Sequence, residues 1–322
     1  MENLRINNTR VPILFLNPVF KQRIWGGERL GKDWLYEIPG NNTGECWAVS
    51  AHPNGDCVVK EGIYGGYTLS QLWEERPELF GNLDLDRFPL LIKIIDAKDD
   101  LSIQVHPNDE YAGMNENGSL GKTESWYVLD CPEYAKLVVG HNAKDKAELS
   151  DMIHNGKWKE LIREIPVKKG DFIQIDPGTV HTIKGGCMIL ETQQSSDITY
   201  RVYDYDRLID GKLRELHIDK SIDVITVPAK PVADSAMYTD DLPKNRMNLL
   251  VSCEYYKVWK LDVTEAIIIN QDKPFMIMSV IEGDGLINGQ MIRKGDHFIL
   301  PANFGEIHMQ GNMQLIVSGV NA

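Results

Sequence analysis

The stretch LLIKIIDAKDDLSIQVHPNDEYAGMNENGSLGKTE, residues 90–124, decides the fold that we predict for this chain. Its two apolar runs are typical of buried strands, and Pro107 ends the second run because proline cannot donate a ladder hydrogen bond. Side chains alternate between the two faces of a strand, so Gln104 and His106 are predicted to point the same way. One strand face therefore presents an amide and an imidazole together.

Composition describes an ordinary soluble globular protein with room for more than one core. The chain has 322 residues, of which 43% are hydrophobic and 25% charged, and this length predicts two domains. The N-terminal residues do not combine a basic start with an apolar run, and no stretch reaches the roughly 18 apolar residues of a membrane span, so we expect a cytoplasmic protein. The five cysteines are widely separated, which is typical of reduced thiols.

The net charge of −13 argues against nucleic acid and against an anionic membrane as the partner. A small anionic substrate remains compatible with this charge, because a few basic residues dominate the field within a Debye length of about 8–10 Å. The sequence leaves the oligomeric state open.

A phrase of Lys-Gly-Asp, an apolar strand, Pro and His occurs twice in the chain. The first copy starts at residue 169 and ends at His181, and the second starts at residue 294 and ends at His308. This weak internal repeat, with many short strands separated by Gly and Pro turns, predicts a mainly β fold of two β-barrel or jelly-roll domains. We expect a first domain at 1–228 with a helical segment near 144–165, a linker at 229–244 and a second domain at 245–322.

Four residues at predicted strand ends carry possible ligand atoms, namely Gln104, His106, Glu124 and His181. Two imidazoles, a carboxylate and an amide oxygen form a mixed N/O set that suits Zn²⁺ and leaves a position open for substrate. Taken singly, His106 and His181 are each more often hydrogen-bonded strand histidines than ligands. Their joint position in a single predicted barrel favours the metal site.

Basic residues accompany these ligands. Lys122 lies two residues before Glu124 and is predicted to share its face, while Arg201 and Arg207 bound the segment RVYDYDR. In an acidic protein, Lys and Arg beside a metal site indicate a phosphorylated or carboxylated ligand. For Arg207, pairing with a nearby acid such as Asp204 is an equally good interpretation.

Two further residues are candidates on local grounds. Glu191 ends the apolar run MILE, where it is either a base or a buried salt-bridge partner. Trp25 precedes a Gly-Gly bend, where its ring either covers a pocket or packs at the edge of a core.

The motifs LSIQVHP, GKTE, PGTVH and LETQQSSDITYR resemble, in the same order, those of the type I mannose-6-phosphate isomerases. These are zinc-dependent phosphomannose isomerases of the cupin class. The resemblance extends from Trp25 to about Ile225 and is looser beyond. The chain lacks the large helical insertion of the long eukaryotic members, so it is similar to the short bacterial form.

The resemblance implies a role for each motif residue. It implies one Zn²⁺ per chain, held by Gln104, His106, Glu124 and His181. It implies catalytic roles for Arg201, Glu191 and Lys122, and substrate-binding roles for Ser102, Arg207 and Trp25. Arg207 occupies the offset at which the long members carry a lysine. The second domain has no QxH or Pro-Gly-x-x-His set, so we expect it to be metal-free.

The implied reaction is the interconversion of mannose 6-phosphate and fructose 6-phosphate through an enediolate. It needs a base and a positive centre for the developing oxyanion, and we expect Arg201 to be that centre, with proton transfer by either Glu191 or a metal-bound water. Two alternatives stay open, an Fe(II)-dependent cupin oxygenase and a non-catalytic sugar-phosphate-binding cupin. For the isomerase and for the sugar-phosphate-binding cupin, the expected partner is a small phosphorylated sugar.

Overall fold

The structure, a computed structural model, describes residues 12–321. Its strands, numbered along the chain, are β1 (Leu14–Asn17), β2 (Val19–Gly27), β3 (Thr43–Val49), β4 (Ala51–His52), β5 (Gly55–Asp56), β6 (Val58–Val59), β7 (Leu90–Asp96), β8 (Ile103–Val105), β9 (Glu124–Asp130), β10 (Lys136–His141), β11 (Ile162–Pro166), β12 (Phe172–Ile175), β13 (His181–Thr182), β14 (Met188–Gln194), β15 (Tyr200–Tyr203), β16 (Leu208–Ile209), β17 (Lys212–Leu213), β18 (Ala236–Met237), β19 (Asn248–Ser252), β20 (Tyr256–Val263), β21 (Ile267–Gln271), β22 (Met276–Ile287), β23 (Gln290–Arg293), β24 (His297–Leu300) and β25 (Gly305–Val320).

The helices are few and short. They are α1 (Arg29–Lys32), α2 (Leu69–Glu75), α3 (Asp109–Asn115), α4 (Lys146–His154), α5 (Trp158–Leu161) and α6 (Ile218–Val224), with 3₁₀ turns at Pro77–Phe80 and Val232–Asp234. Among residues 12–321, no helix is both long enough and apolar enough to cross a membrane.

Two compact units divide the chain. Of the described residues, the central unit contains Pro18–Cys57 and Phe88–Leu242, and the C-terminal unit contains 12–17, Val58–Arg87 and 243–321. This grouping differs from the division expected from the sequence, which placed 1–228 in one domain. The reason is main-chain pairing, because β1 pairs with β24 and β6 pairs with β1. Residues 1–11 of the expected first domain lie outside the described residues.

Two antiparallel sheets form the central unit. The seven-stranded sheet has the order β18-β12-β9-β14-β7-β3-β2, and the five-stranded sheet has the order β11-β10-β13-β8-β15. Apolar side chains from both sheets, among them Ile95, Trp126 and Val139, share one buried cluster, so the sheets pack face to face instead of closing into a single barrel. Because side chains alternate along a strand, each sheet directs every second residue into the space between them.

The C-terminal unit is built on one nine-stranded sheet. Its main path is β19-β20-β25-β22-β24-β1-β6, with β21 added to β25 and β23 added to β22. The long strand β25 pairs with β20 near its end and with β21 near its start. Side chains from β20, β22, β24 and β25 meet in one apolar core that includes Met278, Phe298 and Leu315.

Two segments differ in detail from the sequence-based expectations. The segment near 144–165 is helical over α4 and α5, but Ile162–Pro166 forms β11 and pairs with β10. The expected linker at 229–244 contains β18, which adds to the edge of the seven-stranded sheet with Met237 opposite Phe172. Main-chain hydrogen bonds to β12 order this segment, and its Pro- and Asp-rich composition does not reveal that pairing.

Candidate active site

Residues from both sheets of the central unit converge at one place between them. His181 opens β13 and lies directly opposite Gln104 of β8, while His106 follows β8 by one residue. Glu124 opens β9 in the facing sheet. The Nε2 atom of His181 lies 3.2 Å from Gln104 Nε2 and 3.1 Å from His106 Nε2, so both side chains that were predicted to share a strand face reach the same atom.

Three of these residues form a compact buried cluster. His181 Nε2 lies 3.3 Å from Glu124 Oε1, and His106 Nε2 lies 3.5 Å from Glu124 Oε2. One ligand atom from each of the three residues lies within 4.8 Å of the other two, and each residue is at most 1% exposed. Of the described residues, this is the cluster whose atom types and spacing suit a metal ion.

The backbone sets which imidazole nitrogen carries the proton. Nδ1 of His106 lies 2.8 Å from the carbonyl oxygen of Ile198, and Nδ1 of His181 lies 2.8 Å from that of Thr179. A carbonyl oxygen only accepts, so each Nδ1 carries a proton and each Nε2 presents a lone pair to the cluster. Burial, and then the charge of Lys122, lowers the pKa of His106 to about 3, which keeps its ring neutral.

Lone pairs that face each other at this distance repel unless positive charge lies beside them, and Lys122 Nζ, 3.1 Å from His106 Nε2, supplies some of that charge at the edge of the cluster. Among residues 12–321, neither oxygen of Glu124 receives a hydrogen bond of good geometry. Two neutral imidazoles and a buried carboxylate are ligands that divalent metals prefer. In this structure Gln104 directs Nε2 toward His181, and its Oε1 atom lies 3.3 Å from Ser102 Oγ. A 180° rotation of the amide would exchange these two atoms, so Gln104 can also present its oxygen to a metal ion. The residues therefore fit a bound metal ion.

A row of inward-facing side chains crosses the seven-stranded sheet beside the cluster. Trp47 of β3 lies opposite Lys93 of β7, Lys93 lies opposite Glu191 of β14, and Glu191 lies opposite Trp126 of β9. Directly opposite residues have Cβ atoms about 4.5–5.5 Å apart, so neighbours in the row touch. Lys93 Nζ lies 2.9 Å from Glu191 Oε2, and Trp126 Nε1 donates to Glu191 Oε1 at 3.2 Å.

Lys122 connects this row to the cluster. Its Nζ atom lies 2.5 Å from Glu124 Oε2 and 4.0 Å from Glu191 Oε1. Burial alone would lower the pKa of Lys122, but the two carboxylates outweigh burial and raise it. Burial raises the pKa of Glu191 and Glu124 adds to this effect, against the opposing charges of Lys122 and Lys93. A carboxyl group with a raised pKa beside a firmly charged ammonium suits proton transfer.

A cavity of about 390 Å³ opens onto both the row and the cluster. Its walls include six residues singled out in the sequence, namely Trp25, Ser102, Gln104, Lys122, Glu191 and Arg201. His106, Glu124 and His181 lie buried behind them, in contact with Gln104 and Lys122. The structure thus brings these predicted residues together around one space.

Arg207 is the predicted site residue that lies elsewhere. It is not among the described residues that line the cavity. Its guanidinium donates to the carbonyl oxygen of Asp100 at 2.6 Å and pairs with Asp204, which is the alternative interpretation that the sequence allowed. Arg214, which sequence reasoning missed, lines the cavity and shares the same Asp204 carboxylate.

Four more charged residues of the cavity wall were missed, Arg23, Glu45, Lys93 and Asp197. Arg23 binds both oxygens of Glu45 at 3.0 Å, and Trp47 Nε1 donates to Glu45 at 2.7 Å. Burial raises the pKa of Glu45, but Lys93 and then Arg23 outweigh burial and lower it to about 2. The sequence does carry a signal for Lys93 and Glu45, because each interrupts an apolar strand and charges are rarely buried there unless they are paired.

Known proteins resemble this chain over almost its whole length. Residues 13–135 match the family model of the type I phosphomannose isomerase catalytic domain, and residues 246–320 match that of the mannose-6-phosphate isomerase cupin domain. The mannose-6-phosphate isomerase ManA of Bacillus subtilis (strain 168) is 52% identical over 310 residues, which are 95% of this chain and 98% of the relative. The mannose-6-phosphate isomerase of Streptococcus mutans is 47% identical over 313 residues, 96% of this chain and 98% of the relative.

A solved structure agrees with these sequence relatives. The crystal structure of the mannose 6-phosphate isomerase from Bacillus subtilis superposes with a TM-score of 0.91 and is 48% identical in sequence. The match covers 96% of this chain and 100% of the solved chain. Facing β-sheets around a buried His-Glu-His cluster and a polar cavity define a cupin-type enzyme. The chain belongs to the type I phosphomannose isomerase family. The family resemblance and the mainly β, cupin-type fold predicted from the sequence are confirmed.

Proposed function

We propose that this chain interconverts mannose 6-phosphate and fructose 6-phosphate through an enediolate, with one Zn²⁺ held by Gln104, His106, Glu124 and His181. The observation that carries the proposal is the convergence of the His-Glu-His cluster, Lys122, Glu191 and Arg201 on one cavity. The names of the close relatives, mannose-6-phosphate isomerase in both species, support the reaction and the substrate.

Zinc fits the donor set. Two nitrogens that bind tetrahedral zinc at about 2.0–2.1 Å are about 3.3 Å apart, and the Nε2 atoms of His106 and His181 are 3.1 Å apart. The outer nitrogens of both rings donate to backbone carbonyls, which is the usual way that proteins orient imidazole ligands. When bound, the ion acts as a Lewis acid that polarises and orients the sugar oxygens.

Glu191 moves the proton between C1 and C2 of the sugar. This step needs one group that takes a proton from one carbon and returns it to the next, and such a group works best when its pKa approaches the working pH. Burial and Glu124 raise the pKa of Glu191 in that direction. Lys93 and Trp126 each hold one of its oxygens, at 2.9 and 3.2 Å, so the carboxylate is fixed in place.

Arg201 stabilises the oxyanion of the enediolate. It lies directly opposite Gln104 across β15 and β8, which places it beside the cluster. Within residues 12–321 no side-chain hydrogen bond or ion pair engages its guanidinium, and its Nε atom is buried without a partner. Preorganised donors with no competing partner are the ones that stabilise developing charge most effectively. Lys122 and Ser102, at the cluster end of the cavity, hold the sugar oxygens.

The test is conversion of mannose 6-phosphate to fructose 6-phosphate by purified protein as isolated, after chelation, and after zinc is restored, with zinc content measured in each state. We expect activity to disappear with the metal and to return with it. Arg201→Ala, loaded with the same amount of zinc, should lose about 10²–10³-fold in kcat. A zinc-loaded wild-type protein that converts no substrate would refute the proposal, and activity that depends on Fe(II) and consumes O₂ would replace it with the oxygenase.

A further inference from the structure

The segment between β15 and α6 leaves the five-stranded sheet and returns to the same point. The N–H of Arg201 donates to Nδ1 of His217 at 3.1 Å, and the N–H of His217 donates to the carbonyl oxygen of Arg201 at 2.8 Å. The hairpin of β16 and β17 lies between these two tied ends. Closure of the segment brings Arg214 and His217 into the cavity wall beside Arg201.

Where this segment meets the cavity, three guanidiniums, those of Arg201, Arg207 and Arg214, outnumber the two nearby carboxylates, those of Asp204 and Glu215. Asp204 is 3% exposed and pairs with both Arg207 and Arg214. One carboxylate thus serves two guanidiniums, and it does not pair with Arg201, which has no ion pair among the described residues. Burial and then the charge of Arg214 lower the pKa of Arg201. A group of cations with this deficit of counter-charge is stabilised when an anion binds.

The two arginines that share Asp204 differ in what remains free. Arg207 also donates to the carbonyl oxygens of Asp100 and Asp204, at 2.6 and 3.2 Å. Arg214 contacts Asp204 through Nη1 alone, at 3.3 and 3.2 Å, and its other nitrogens make no hydrogen bond within the described part of the chain. Arg214 therefore has donors left for a ligand, with its side chain only 18% exposed.

We propose that Arg214, positioned by Asp204, binds the phosphate group of the substrate, with His217 as a second donor from the same segment. His217 accepts at Nδ1, so its proton is on Nε2. A guanidinium suits phosphate because its planar fork donates two parallel hydrogen bonds. Arg201 neighbours Arg214 and also lies opposite Gln104, which contacts the His-Glu-His cluster. A sugar that reaches both ends would place its phosphate at Arg214 and its carbonyl end at Gln104 and Lys122. This inference rests on the proposed isomerase function and deepens it.

Arg207 supplies a matched control, because it has the same charge and the same acidic partner but is not among the described residues that line the cavity. The experiment compares Arg214→Gln, Arg214→Lys and Arg207→Gln in the zinc-loaded protein. Inorganic phosphate is the probe, and its dissociation constant is measured by calorimetry, alongside kcat/KM for mannose 6-phosphate. Thermal unfolding of each variant shows whether the fold is retained.

We expect Arg214→Gln to weaken phosphate binding by about 10- to 100-fold, since a charge-assisted bidentate contact is among the strongest hydrogen-bonded pairs. Arg214→Lys should recover part of this loss, and Arg207→Gln should change binding by no more than about twofold. Equal losses in Arg214→Gln and Arg207→Gln would overturn the proposal, because the effect would then come from the shared Asp204 or from the hairpin. Unchanged binding in Arg214→Gln would also overturn it.

Two further results separate this proposal from the isomerase function on which it rests. If the wild type binds phosphate through Arg214 but converts no mannose 6-phosphate, the phosphate subsite stands and the proposed reaction fails. If Arg214→Gln does not fold, Arg214→Lys decides, because it keeps the charge and loses the fork. Binding by that variant equal to the wild type would overturn the bidentate assignment, and a loss of about fivefold or more would support it.

Discussion

The Lys-Gly-Asp turns of the two units are built from the same hydrogen bonds. Oδ2 of Asp171 accepts from the N–H of Lys168 at 2.9 Å, and Oδ2 of Asp296 accepts from that of Arg293 at 2.9 Å. The central glycines have φ of 93° and 92°, a region that residues with a Cβ rarely adopt. The turn is thus encoded by three residues, wherever in the chain they occur.

The interiors that follow these turns differ. The strand after the first turn leads to His181, which is buried in the cluster. The strand after the second leads to His308, whose side chain is 53% exposed beside Glu306. The sheets of the central unit direct facing rows of charged and polar side chains toward each other, whereas the C-terminal unit fills the corresponding space with residues such as Met278, Phe298 and Leu315.

This difference shows how one architecture serves two purposes. Apolar filling stabilises a sheet through burial at about 25 cal/mol per Å². Buried charges contribute less, since desolvation offsets most of their mutual attraction. The central unit keeps its charged row because the proposed chemistry needs it.

The largest effect is expected from the histidine that ends each repeat. His181→Ala should remove one metal ligand and reduce isomerase activity by more than about 10³-fold. His308→Ala is the matched control and should leave both zinc content and activity unchanged. Zinc content by mass spectrometry and kcat measured on the same samples would check this, and equal losses in the two variants would remove the functional distinction between the units.

Substitutions in the apolar interior of the C-terminal unit should have the largest effect on the free energy of unfolding. Phe298 is fully buried in its core, so Phe298→Ala should lower the free energy of unfolding by about 3–5 kcal/mol. Ile268 on β21 is 62% exposed, and Ile268→Ala should stay within about 0.5 kcal/mol of wild type. Urea unfolding gives both values, and a loss below about 1 kcal/mol for Phe298→Ala would show that this core does not carry the stability.

The charged row of the central unit should behave differently. Lys93→Met removes one partner of the buried Glu191 carboxylate, which keeps its hydrogen bond from Trp126. We therefore expect the free energy of unfolding to fall by about 1–3 kcal/mol. Adding Glu191→Gln removes the unpaired charge, and the double variant should be more stable than Lys93→Met alone while lacking activity. A double variant that is less stable than either single variant would indicate that the row stabilises the fold as well as serving the site.

The smallest effect is a pH dependence in the C-terminal unit. Burial lowers the pKa of His297 to about 3, below its ordinary value of about 6.5. The unfolded chain therefore binds the proton more readily, so the contribution of His297 is fully present above about pH 6.5 and is lost as pH falls toward 3, by at most about 1.4 kcal/mol per unit. His297→Asn should flatten the stability difference between pH 7 and pH 5, and an unchanged slope would contradict the assignment.

Much of the site was readable from the sequence because strand alternation is local. Period two placed Gln104 and His106 on one face, and Lys122 beside Glu124. Lys93 was missed although a lone charge in an apolar run is a signal, because that signal does not identify the residue with which the charge pairs. Its role depends on Glu191, which is 98 residues away in the chain and 2.9 Å away in space.

Arg207 and Arg214 show the limit most clearly. Both lie in one polar segment, and the spacing from Arg201 favoured Arg207, the arginine that does not line the cavity. Asp204 accepts both, and the path of the hairpin decides which guanidinium reaches the cavity. Likewise, the assignment of early segments to the C-terminal unit follows from the pairing of β1 with β24, which is a long-range event.

The sequence by itself determined most of the strands, the Lys-Gly-Asp turns, the faces of β8 and β9, and the family. These depend on backbone preferences and alternation within a few residues. Only the tertiary structure decided that β8 pairs with β13, that the two sheets of the central unit face each other, and that Arg214 rather than Arg207 lines the cavity. Those outcomes depend on pairing and burial between distant segments, such as Gln104 and His181, which are 77 residues apart. Local sequence patterns do not encode such long-range contacts.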